Sequence, residues 1–116
     1  MKKIVDIETA LKMFEEASII QVESTENGNF KVGNKNYEKV MNAASFLKNQ
    51  NSIESLFQFL NHQHKGPRLW SACYILHLDE KKAVKVLKEI IKQSGIIGST
   101  AEITLDEWKK GNLTFI

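Results

Sequence analysis

The chain has one cysteine, one proline, one arginine and six glycines in its 116 residues. Cys73 alone cannot close an internal disulfide, so the sequence points to a reducing, cytoplasmic setting. Its longest unbroken apolar run is Ala72 to Leu76, whereas about twenty apolar residues are needed to cross a bilayer, so no membrane span is predicted. Lys2 and Lys3 resemble the start of a secretory signal, but Asp6 and Glu8 interrupt the apolar stretch that would have to follow. Charge of one sign is also scarce. Sixteen Lys and Arg against fourteen Asp and Glu leave +2, which excludes a polybasic tail and a strong overall field for nucleic acid. A glycine-rich phosphate loop, a paired catalytic carboxylate motif and a nucleophile elbow are all missing from the sequence. An ordinary 42% hydrophobic content with low net charge argues against disorder, the polar stretch Glu23 to Asn34 being the place for a mobile loop.

What is present is helical periodicity. A single domain of residues 1–116 is expected, long enough to bury one core. Asp6 caps a first helix with Ile7, Ala10, Leu11, Phe14, Ala17 and Ser18 on one face. A second helix is predicted from Asn34, with Tyr37, Val40, Met41, Ala44 and Leu47 in a stripe ending at Asn49 to Asn51. Between them, Glu23 to Gly33 reads as the longest connection, with a hairpin around Asn27-Gly28 or Val32-Gly33 as its alternative form. Ser52 caps a short third helix with Ile53, Leu56, Phe57 and Leu60 inward.

Pro67 belongs to the first turn of a fourth helix, where a missing amide hydrogen has no intrahelical acceptor to lose. That helix is apolar on two faces, Leu69, Ala72, Cys73 and Leu76 on one and Trp70, Tyr74 and His77 on the other, so it must lie between neighbours. Asp79 caps a fifth helix with Ala83, Val86, Leu87, Ile90 and Ile91 inward, and Gly95 stands where a left-handed cap would follow it. Ser99 and Glu102 form a capping box for a sixth, which carries Ala101, Leu105 and Trp108 and stops at Gly111. The prediction is all-α, about six helices in antiparallel pairs, with a weak internal repeat of roughly forty residues in the range of HEAT and armadillo units.

The segment Pro67-Arg68-Leu69-Trp70-Ser71-Ala72-Cys73-Tyr74-Ile75-Leu76 resembles the second helix of a HEAT repeat, with an Arg near the start followed by small residues and Leu. Pro67 stands where that pattern usually has Val, and the usual Asp of the preceding turn is missing. Together with Asn34-Lys35-Asn36-Tyr37, then Ala83, Leu87, Ile90, Gly98, Ala101, Leu105, Trp108 and Gly111, the order is similar to a small bacterial family of uncharacterised HEAT-like helical-repeat domains over about residues 30–111. The resemblance implies a HEAT-like stack, an α-α superhelix fragment acting as an interaction domain. Some relatives of this kind serve as antidotes or accessory proteins at bacterial toxin loci. It carries over no catalytic residue and no cofactor.

Several residues merit a functional reading beside a structural one. Arg68 can grip a carboxylate or phosphate with its planar fork, or pair internally with an acid such as Glu54 or Asp79. Lys81, Lys85, Lys88 and Lys92 form one helical stripe that could track phosphates, with His62, His64 and Lys65 adding to it if the fold brings them near; a solvated face is the plain alternative. His62 and His64 share a side only in extended chain, and zinc needs three or four ligands, so no metal site is expected. Cys73 and His77, four apart, have the spacing of an activated thiol, although their apolar surroundings favour an inert one. Trp70, Tyr74 and Trp108 are either binding anchors or core. The leading expectation is a non-enzymatic module that binds a protein partner through Arg68, Trp70, His62, His64 and Lys65. The alternatives are a nucleic-acid accessory protein using the lysine stripe and a weak-signature Cys/His enzyme.

Overall fold

A computed structural model describes residues 4–93 and 95–113; Lys2 and Lys3, considered above for a leader, lie outside them. The fold is all-helical, with no strand among the described residues. Helix α1 spans Ile7–Glu26 and α2 spans Phe30–Asn49; a 3₁₀ helix covers Ile53–Phe59, followed by α3, Lys65–Ile75, α4, Glu80–Ile91, and α5, Ile96–Lys109.

Asp6 opens α1 as predicted, its carboxylate accepting the Thr9 amide at 2.7 Å. The predicted face is buried at Ala10, Phe14, Ala17 and Ser18, and Ile7 at its start is exposed. The connection read as Glu23 to Gly33 is much shorter, and it is no β-hairpin. Gly28 takes φ +79°, letting its amide and that of Asn29 close onto Thr25 and Ser24 carbonyls at 3.2 and 2.8 Å, and Asn29 then caps α2 through Val32. Asn29 therefore does the capping assigned to Asn34, which lies exposed inside α2. The same kind of closure ends α2, where Asn51 at φ +53° lets the Ser52 amide reach the Leu47 carbonyl at 2.8 Å.

The third helix is 3₁₀, and Ser52 gives it no side-chain cap, its hydroxyl donating instead to the Gln50 carbonyl at 3.1 Å. Leu56, Phe59 and Leu60 are its buried anchors. Asp79 caps α4 as expected, accepting the Lys82 amide at 3.1 Å. Helix α5 begins three residues before the predicted capping box, at Ile96 after Gly95, so Ser99 lies inside it. Gly95 does take a positive φ, +101°, but it serves as the N-cap of α5. Ile97 and Gly98 are already buried in the first turn of α5, which fixes its start there.

Short turns make α1 antiparallel to α2 and α4 antiparallel to α5. Helix α1 also lies against α3, α3 against the 3₁₀ helix and α4, and α1 reaches α5. The centre of this arrangement is α3, where nine of eleven residues are buried, as its two apolar faces require. One continuous core joins all the elements, with Phe14 stacked on Phe59 at 5.7 Å between ring centroids and edge-on to Tyr74 at 6.1 Å. A radius of gyration of 13.2 Å equals the value of about 13 Å for one unit of this length.

Candidate functional site

The residues proposed as partner contacts at the start of α3 are joined to the chain's own groups. The His62 Nδ1 accepts the His64 amide, and the His64 Nδ1 accepts the Gly66 amide, both at 2.9 Å, so His64 is the N-cap of α3. A ring nitrogen that accepts carries no proton, so each imidazole holds its hydrogen on Nε2 and donates to α1, His62 to Glu15 at 2.7 Å and His64 to Glu23 at 3.3 Å. Lys65 bonds Glu26, and the buried Trp70 donates its indole N–H to Gln21 at 2.9 Å. Arg68 reaches Glu89 of α4 at 2.5 Å and the Leu60 carbonyl at 3.3 Å, rather than either acid named from the sequence. These five side chains fasten α3 to α1, to α4 and to the end of the 3₁₀ helix.

The lysine stripe behaves differently. Lys81, Lys85, Lys88 and Lys92 are exposed and line a groove of about 770 Å³ between α4 and α5, with Val84, Leu105, Trp108 and Lys109. Its size is that of an ordinary binding cleft. The two acids on its wall are occupied: Glu80 accepts the Trp108 indole N–H at 2.6 Å, and Glu89 holds Arg68. Among the described residues, none of the five lysines of the groove has an ion-pair partner. Lys82, off the stripe, is placed otherwise, 4.0 Å from Asp79 and over the Phe57 ring at 5.6 Å. Trp108 is half-buried, its ring edge-on to His77 at 4.8 Å, so it forms part of the groove wall. The spacing of the stripe is legible along one helix, whereas the opposite wall comes from α5 and has no local signal.

Cys73 is fully buried, and burial pushes its thiol up to about 12. A thiol is a nucleophile only as thiolate, so this environment works against one. His77 is exposed and turned to Trp108. Burial likewise raises the Tyr74 phenol. Among the described residues no group of three or more His, Cys, Asp or Glu is arranged for a metal ion, and no helix is long and apolar enough to cross a membrane. A smaller cleft between α1 and α2, about 280 Å³, is lined by Met13, Glu16, Ile20, Asn36 and Lys39 among others. Compared with family models, curated proteins and solved structures, the chain matches none.

Proposed function

We propose that this chain is a non-enzymatic protein-interaction module, and that it binds an acidic partner through the lysine-rimmed groove between α4 and α5. The observation that carries the reading is the charge state of that groove: five lysines without ion-pair partners surround an apolar floor while both neighbouring acids are engaged. Complementary charge of this kind steers association and selects partners. The surface formed by Arg68, Trp70, His62, His64 and Lys65 recedes in this reading, because each of those side chains already has a partner in the chain. A HEAT-like ancestry, a cytoplasmic setting and an antidote or accessory role at a toxin locus belong to the same proposal and rest on the sequence pattern.

Nucleic acid is the rival occupant, since phosphates also seek lysines. The groove lacks arginine, and its one aromatic among the described residues has its N–H on Glu80 and its ring against His77, which is a poor stacking platform for bases. The test is affinity capture from the cells that make the protein, with the wild type and a K85E/K88E variant shown by circular dichroism to keep its helices. A protein retained by the wild type and released by the variant is the expected result. Identical protein recovery by both, or recovery of nucleic acid alone, would overturn the proposal.

A further inference from the structure

Resting on that reading, we infer that the occupant of the α4–α5 groove is a single amphipathic helix with an acidic flank, contributed by another protein. Along α4 the lysines follow one another at intervals of four, three and four residues, which keeps them on one side through three turns. The row from Lys81 to Lys92 is about 16 Å long at the helical rise per residue. A helix with Asp or Glu at the same intervals presents a parallel row of opposite charge over the same length, whereas an extended peptide, advancing about 3.3 Å per residue, outruns it within five or six residues. Beneath the lysines, the half-buried Val84 and Trp108, with Leu105 almost fully buried between α4 and α5, supply the apolar surface that the oily stripe of such a helix needs.

The rest of the fold narrows the choice. With no strand among the described residues, there is no sheet edge for an extended peptide to join. A small anion would satisfy the lysines and leave the apolar floor wet. Of the two acids of the wall, Glu89 is matched by Arg68, while Glu80, held on the Trp108 indole, keeps its charge and sits at the Lys81 end of the row, so five lysines face one uncompensated carboxylate. Lys109 of α5 stands across the groove from the α4 row, so a bound helix meets positive charge on both sides.

The test is a display selection of 16-residue peptides on the full chain, with binders to K85E/K88E removed. Survivors should carry Asp or Glu at intervals of four and three beside Leu, Ile or Phe at helical spacing. Synthetic copies should gain helical circular dichroism on binding, shift the Trp108 indole N–H resonance, and lose at least tenfold in affinity against K85E/K88E while K85R/K88R retains it. Basic or proline-rich survivors, equal binding to wild type and K85E/K88E, or resonance shifts confined to α1 and α2 would overturn the inference. So would a nucleic-acid probe that outcompetes every selected peptide, or self-association of the chain through the same lysines. If no acidic helix is selected but a natural partner is still lost with K85E/K88E, the helical occupant fails and the interaction module stands. If acidic helices are selected and the cells yield no partner, the groove's preference for such a helix stands and the interaction module fails, and with it a natural protein occupant.

Discussion

An added Cβ at Gly66 would stand 2.4 Å from the Ser18 carbonyl oxygen, a backbone atom in the middle of α1 that cannot step aside. The close approach of α3 to α1 therefore depends on one missing methyl group, and Gly66→Ala should cost about 1–3 kcal/mol, the range for an overpacked core. Urea denaturation measures it, and a loss below about 0.5 kcal/mol would place this site among ordinary surface positions. Cys73 is a second position where one side chain's surroundings decide its behaviour. With its thiol raised from 9.0 to about 12, it should resist Ellman's reagent in the folded protein at pH 8 and react once urea unfolds the chain. The folded state holds this proton more tightly than the unfolded one, so the contribution to stability is intact below about pH 9 and declines as pH rises towards 12. Melting temperatures of wild type and Cys73→Ala should therefore fall differently across that interval, and parallel curves would contradict the burial argument.

Between elements, the ties around α3 decide which helices stay together. Arg68 at the start of α3 meets Glu89 near the end of α4 because the two helices reverse direction through residues 76–79, which brings the start of one alongside the end of the other. Folding the sequence about this turn points to the last turns of α4, where Glu89 is the acid, and neither Glu54 nor Asp79 lies there. Glu89 is half-exposed, so a double-mutant cycle on Arg68 and Glu89 should give a coupling of about 1 kcal/mol or less. Coupling indistinguishable from zero would mean that the link is only geometric. Helix existence and inward faces were legible, since apolar spacing alone places Phe14, Val40, Leu69, Leu87 and Leu105 inside. Helix starts were less so. Asn29 and Asn34 are equally competent caps, and only the left-handed turn at Gly28 selects the first. Ser99 and Glu102 satisfy a capping-box pattern, yet the burial of Ile97 and Gly98 draws the helix forward past it. The lysine row could be read from one helix, whereas the groove needs two, and α5 lies beyond the reach of local periodicity.

For the whole molecule, a core that runs through every element predicts a single cooperative transition. Far-ultraviolet dichroism and tryptophan fluorescence should melt together, Trp70 and Trp108 reporting from different sides of the fold; separated midpoints would show that it is divided. Leu69→Ala and Leu87→Ala, both at fully buried positions in different helices, should each lower stability by about 2–5 kcal/mol without splitting that transition. The place of α1 in this core also bears on how the protein is made. Phe14 rests on Phe59 and Tyr74, side chains translated far later, while α2 can close on α1 as soon as both have formed. On the ribosome, the first hairpin must therefore travel with one oily flank bare until α3 emerges, a window in which a chaperone has something to hold; nascent chains halted at residue 60 should bind a hydrophobic dye that the finished protein ignores.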